Sequence, residues 1–153
     1  QQDIADGNIG PGTVLRVTGK ISQFSGLLQF NGDGLNGYEI VEQGDVPDSQ
    51  TVPLSDLGPG GEDFESELLR VEGLSFQDAS GSFEEGTNYT VEDGNGNTLT
   101  LRVQGGDETN VIGESIPDGT FAFEGVLSQF NVFSGVDTDE GYQLVPVQPS
   151  DLQ

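Results

Sequence analysis

The sequence predicts an all-β protein with at most one short helix. Three observations carry this: apolar residues recur at every second position in short runs, glycine and proline punctuate those runs, and segments of strand pattern repeat. Of the 153 residues, 24 are glycine and 7 proline, which suits many short strands joined by tight turns. Hydrophobic content is only 32%, yet it is patterned, and an acidic chain that stays disordered lacks such alternation. The length suits one ordinary domain, or two small ones sharing a core.

The expected strands are Thr13–Phe24, Gly37–Glu42, Glu67–Phe76, Thr87–Glu92, Asn97–Val103, Thr120–Phe133 and Gly141–Pro146. In the first, Leu15, Val17 and Ile21 share one face, while Val14, Arg16, Thr18, Lys20 and Ser22 take the other. Leu99, Leu101 and Val103 alternate with Thr98, Thr100 and Arg102 in the same way. Between two such runs, Asp93-Gly94-Asn95-Gly96-Asn97 reads as a hairpin turn. The one expected helix is short, near Glu62–Leu68, where Phe64 and Leu68 are spaced i, i+4. Gly58-Pro59-Gly60-Gly61, just before it, is the best internal boundary.

The chain also repeats itself. Gly19-Lys20-Ile21-Ser22-Gln23-Phe24 returns as Gly125-Val126-Leu127-Ser128-Gln129-Phe130. Each copy leads to a second strand, Tyr38-Glu39-Ile40-Val41 or Tyr142-Gln143-Leu144-Val145, and then to Ser-Asp-Leu at 55–57 or 150–152. The second copy is preceded by a strand set, Glu67–Val103, that the first lacks. Residues 1–60 are therefore expected to form a partial unit whose strands duplicate 119–152, and residues 61–153 a complete one. The two Ser-Gln-Phe segments should then be equivalent strands. A second echo, Leu-Arg-Val-x-Gly at 15–19, 69–73 and 101–105, leaves open whether residues 13–24 are the first or fourth strand of a unit.

Charge is the most unusual feature. Asp and Glu number 27 against 4 Lys and Arg, a formal net charge of -23. Such a chain repels itself at low ionic strength, whereas in molar salt the Debye length falls to about 3 Å and screens the repulsion. The composition reads as adaptation to high salt; an acidic, calcium-dependent surface protein is the competing reading. Both argue against nucleic-acid binding at moderate salt, which needs a basic face. The absence of cysteine and histidine excludes thiolate nucleophiles, His-based triads and Cys or His metal sites. A carboxylate-pair hydrolase stays open, with no one pair singled out. No apolar run is long enough for a membrane-spanning helix, and no leader is visible.

Four groups of candidate site residues stand out. The echoed motif sends Arg16, Arg70 and Arg102 to the face opposite its Leu and Val. Each arginine there either neutralises neighbouring carboxylates or contributes to an anion-binding stripe. The repeated Gln23 and Gln129 are either turn or barrel-closing hydrogen-bonders or ligand contacts. For metal, Asp137, Asp139 and Glu140 have the alternating oxygen ligands of a calcium loop, as do, less well, 31–34 and 93–97. Hairpin turns use the same residue types, so calcium is the one cofactor the sequence raises. Phe24, Phe30, Phe130 and Phe133 are expected in the core, with a stacking platform as the alternative.

The series Leu69–Gly73, Gly86–Asp93, Ile116–Gly119, Gly125–Phe130 and Gly141–Pro146 resembles the OB-like β-barrel domains of large secreted or surface proteins of the Bacteroidetes group. Similar domains stand beside nuclease, lamin-tail-like or adhesion domains. The resemblance implies an OB-like barrel and an extracellular or cell-surface setting among neighbouring domains of a larger chain, to which the acidic composition adds a halophilic source. It brings no catalytic motif. The expectation is a non-catalytic binding, interaction or spacer module, with a protein or glycan partner. The alternatives are an accessory nucleic-acid- or polysaccharide-binding domain of a secreted hydrolase, and the carboxylate-pair hydrolase.

Overall fold

The computed structural model describes residues 2–30, 32–106, 109–131 and 140–153. Strand makes up 44% of it and no helix reaches 7 residues, so the all-β expectation holds. A four-residue α-helical turn, α1 (Gln2–Ala5), was not foreseen. The helix expected near Glu62–Leu68 is a 3₁₀ turn over Gly61–Phe64. Ser66, with a φ of 64°, turns the backbone out of any helical path before strand begins at Leu68.

The chain divides into two compact units, one of residues up to 24 together with 28–48, the other of 25–27 and 49–153. The division at 48/49 lies upstream of the Pro/Gly stretch read as the boundary. The reason is packing: Val52, Leu54 and Leu57 join the core of the larger unit.

In the smaller unit, β1 (Thr13–Gly19) pairs antiparallel with β4 (Leu35–Gln43). The strand expected over 13–24 is interrupted at Lys20, and Ser22–Phe24 forms a separate β2 that pairs with β3 (Leu27–Gln29). Alternation sends Leu15, Val17, Tyr38 and Ile40 to one face of the β1–β4 ribbon and the ion pair Arg16–Glu39 to the other.

The larger unit is an OB-like barrel. Its strands are β5 (Gln50–Thr51), β6 (Leu68–Phe76), β7 (Asn88–Glu92), β8 (Thr98–Arg102), β9 (Phe121–Gln129) and β10 (Tyr142–Val145). Strands β6, β7 and β8 form a meander. β10 then lies parallel to β8 and antiparallel to β9, and β9 returns to β6, closing a five-stranded barrel. The short β5 adds in parallel at β6.

One strand serves two neighbours because it bends. In β6, Leu69 and Val71 point inward, then Leu74 does, out of phase by one residue. The slip coincides with a break in the β6–β9 register between Val71 and Leu74, where Gly73 takes a φ of 70°. That bulge turns the strand, so its first half pairs with β9 and its last residues with β7. The barrel interior is filled by Leu69, Val71, Leu74, Val91, Leu101, Phe123, Leu127 and Leu144, all essentially inaccessible to solvent. Phe76, Phe83, Tyr89 and Phe121 form the aromatic part, with Phe76 stacked on Phe121 at 4.8 Å and edge-on to Phe83.

The duplicated segments fare differently. Both Ser-Asp-Leu motifs lie in 3₁₀ turns, Leu54–Asp56 and Pro149–Asp151, and both following leucines pack on the core. Asp151 ties its turn down by accepting from the Val147 and Gln148 N–H groups at 2.8 and 3.1 Å. The two Ser-Gln-Phe segments, by contrast, are not equivalent. Ser128 and Gln129 continue the long β9 beside β10, whereas Ser22–Phe24 is a short strand in a separate two-stranded sheet. The register differs too: Tyr142 pairs with Gln129, but Tyr38 pairs with Val17. β9 has β6 and β10 on its two sides, and β1 pairs with β4 alone.

Candidate binding face

The outer surface of β7, β8 and β10 differs in chemistry from the rest of this acidic chain. Inward positions on β7 and β8 are taken by Tyr89, Val91, Leu99 and Leu101, so Asn88, Thr90, Thr98, Thr100 and Arg102 point outward. Cross-strand pairs set Thr90 opposite Thr100 and Asn88 opposite Arg102. The parallel partner β10 brings Gln143 beside Thr100. The result is a patch of hydroxyl and amide groups holding one guanidinium. Glu92, at its far end, accepts a hydrogen bond from Gln77 Nε2 at 2.6 Å.

Two depressions mark this face. One, of about 340 Å³, is lined by Pro59, Thr90, Thr98, Thr100, Glu140 and Tyr142, among others. The other, of about 200 Å³, is lined by Asn88, Arg102, Gln104, Phe130 and Gln143.

The β7–β8 turn that joins the two strands is held by Asp93. Its Oδ1 accepts from the Asn95 and Asn97 N–H groups at 2.9 and 3.0 Å, and its Oδ2 from Asn97 Nδ2 at 2.8 Å. These bonds, that from the Asn97 side chain foremost, hold the Asp93 carboxyl below the usual aspartate range. The 93–97 cluster, one of the three calcium-loop segments, is thus engaged as a hairpin turn.

The three echoed arginines are separated by what stands across from each. Arg16 faces Glu39 and pairs with it at 2.6 Å, both side chains exposed. Arg70 faces Glu124 and lies between it and Glu72, at 3.1 and 3.2 Å. Those two bonds, Glu72's first, hold the Arg70 guanidinium charged even above its ordinary range. Arg102 faces Asn88, donating from Nη1 to its Oδ1 at 3.0 Å and to the Gly86 carbonyl. Arg70 and Arg102 lie on strands separated by β7, so no shared stripe forms within the barrel.

Gln129 closes the end of the barrel: it is buried, and its Nε2 donates to the Glu140 carbonyl at 2.9 Å across the base of the β9–β10 connection. Gly26, paired with Phe130, lies so near that a Cβ there would stand 2.2 Å from Gln129 Oε1. Gln23 is exposed on β2. Asp137 and Asp139 lie outside the described residues, as does Phe133; Glu140 is exposed. Among the described residues no three Asp or Glu side chains converge as a metal site. Phe24, Phe30 and Phe130 are 59%, 43% and 48% exposed, which overturns the expectation that they fill the core. That place belongs to Phe76 and Phe121, which the out-of-phase half of β6 and the start of β9 turn inward, and to Phe83 from the segment between β6 and β7.

No protein-family model, curated protein or solved structure matches the chain.

Proposed function

We propose that the chain is a non-catalytic binding module of an extracellular or cell-surface protein adapted to high salt, and that it engages its partner through the outer face of β7, β8 and β10. The observation that carries this is the composition of that face. On a chain with 27 acids, Asn88, Thr90, Thr100, Arg102 and Gln143 bring donors and acceptors together, with Glu92 at the far end of the face and Glu140 in the lining of its larger depression as the carboxylates described there. Rigid strands hold these groups, which lowers the ordering cost of binding. The setting among neighbouring domains rests on the Bacteroidetes-type resemblance.

A shift-mapping experiment tests the proposal. The ¹⁵N-labelled chain in molar KCl is titrated with soluble neutral and acidic oligosaccharides and with peptides. Perturbed amides should cluster at Thr90, Thr100, Arg102 and Gln143. Perturbations confined to β5 and the 3₁₀ turn of 149–151, or none with any ligand, overturn it.

A further inference from the structure

We infer that the Arg102 depression is a subsite for a carboxylated sugar, so that the ligand of the face described above is an acidic, uronate-bearing polysaccharide. The inference rests on the reading of that face as the binding surface.

The first support is that Arg102 stands apart from the other two arginines. They occupy the same position in the same Leu-Arg-Val-x-Gly motif, yet they meet Glu39 and Glu124 across the strand, and Arg102 meets the neutral Asn88. Among the described residues no carboxylate lies within ion-pair distance of it. Glu85, next in sequence to Gly86, is engaged elsewhere, its Oε1 accepting from the Gly106 N–H at 2.6 Å. In a chain with more than six acids per base, a guanidinium meets no acid across its strand only where the paired residue is neutral, and Asn88 is neutral here.

The second support is geometric. Arg102 Nη1 is occupied by Gly86 O and Asn88 Oδ1, which fixes the plane of the guanidinium. Nε and Nη2 have no acceptor among the described residues. This remaining edge presents two parallel N–H groups, the arrangement that takes a carboxylate through both oxygens.

The third is the lining. Gln104 and Gln143 supply amides that both donate and accept, which suits the hydroxyls of a sugar ring, and half-exposed Phe130 offers an apolar wall for its C–H face. At about 200 Å³ the depression holds one small ring and no more. The hydroxyls of Thr90, Thr98 and Thr100 continue the polar surface along the strands, toward the larger depression. A peptide carboxylate would satisfy the arginine but would leave this run of hydroxyls and amides to meet apolar side chains.

The chain's charge gives the site an unusual signature. Repulsion between a polyuronate and a net charge of -23 acts over a Debye length, whereas the carboxylate–guanidinium contact acts at bonding distance. Affinity should therefore rise with salt over the range where the long-range repulsion is being screened, opposite to the usual behaviour of a cationic site.

Calorimetric titration of the intact chain, with chelator present so that calcium cannot bridge acids, tests the inference. The probes are a short oligogalacturonate, its methyl ester, a neutral glucan oligomer, and a peptide with a free C-terminal carboxylate. The oligogalacturonate should bind at least tenfold more tightly than its ester, and its affinity should rise several-fold between 0.05 and 1 M KCl. Arg102→Gln should abolish the difference between acid and ester, while Arg16→Gln leaves it intact. Acid and ester binding alike on the mapped face would overturn the carboxylate subsite and leave the binding face standing. Peptide binding in preference to uronate would overturn the sugar. A neutral glucan as the sole ligand would overturn it likewise, and no binding by any probe would count against the face itself. The acid–ester comparison uses the unaltered chain, so it stands even should Arg102→Gln fold poorly.

Discussion

Gly61 lies against the ring of Tyr142, so close that a Cβ placed on it would stand 2.7 Å from a ring carbon. The same ring sends its hydroxyl to Glu62 Oε2 at 2.9 Å. A small residue and its neighbour thus clamp one aromatic side chain at the start of β10, beside the larger depression of the binding face. Gly61→Ala must push that ring or its own 3₁₀ turn aside. The expected cost is about 1–3 kcal/mol, the range for overpacking a filled site. Tyr142→Phe, which keeps the ring and loses one part-buried hydrogen bond, should cost only about 0.5–1.5 kcal/mol. Urea denaturation of both variants checks the order; an alanine variant as stable as the parent would refute the clamp.

Two of the echoed arginines should differ in what they contribute to stability. Arg16 and Glu39 are exposed by 67% and 62%, and exposed pairs are worth about 0–1 kcal/mol. Arg70 is only 26% exposed and bridges two carboxylates, one on its own strand and one on β9. Arg70→Gln also leaves Glu72 and Glu124 facing each other without a cation. It should therefore lower the denaturation midpoint clearly, while Arg16→Gln changes it within the error of the measurement.

Asp93 gives a pH dependence of known sign. Its folded carboxyl titrates below the ordinary aspartate value because the hairpin's amides prefer the charged form. A depressed folded value means that the contribution is fully present above the unfolded value and is lost as pH falls through the folded one. The loss is thus confined to pH below about 4. Amide exchange at 93–97 should accelerate in that window and not at pH 5–7. Asp93→Asn should remove this pH dependence of the turn; acceleration beginning near pH 6 would point to another group.

How much of this was legible in the sequence depended on range. The barrel strands were, because Leu99, Leu101 and Val103 alternating with Thr and Arg leave one reading. The bulge in β6 was present in the pattern as well: Leu69 and Val71 are followed by Leu74 and Phe76, one residue out of phase. β3 and β5 were not legible, since three residues and two are too few to show a period. The exposure of Phe24 and Phe130 escaped because alternation tells which residues share a face, not whether that face is covered. The site escaped for a related reason. Arg16, Arg70 and Arg102 sit in one motif, and only the residue across the strand, Glu39, Glu124 or Asn88, separates them. Those partners are 23, 54 and 14 residues away.

The charge predicts a salt requirement. A net charge of -23 spread over 153 residues opposes compaction at low ionic strength, and added salt screens it. The thermal midpoint should rise markedly from low to molar KCl, with NaCl as effective as KCl. A midpoint indifferent to salt would overturn the halophilic reading. Micromolar calcium supplying the whole effect would replace it with the calcium-loop reading, for which 137–140 is the segment to mutate.

Nucleic acid should not bind the isolated chain at moderate salt. Phosphate recognition draws its affinity from cations that displace condensed counterions, and the chain has four cations in all. Two of them, Arg16 and Arg70, are already engaged by carboxylates. An OB-like barrel can also hold single strands by stacking bases on aromatic side chains, at about 1–3 kcal/mol per base. Among the described aromatics of the face of β7, β8 and β10, Phe130 at the edge is half-exposed, whereas Tyr142, in the larger depression, is buried with its hydroxyl on Glu62 and Tyr89 turns inward to Phe83. So little exposed stacking surface against so large a negative charge gives no measurable affinity in 150 mM salt. Fluorescence anisotropy with labelled single-stranded and duplex oligonucleotides should therefore stay flat to high micromolar protein. Submicromolar binding in that salt would overturn the polysaccharide reading and favour an accessory domain that serves a nuclease.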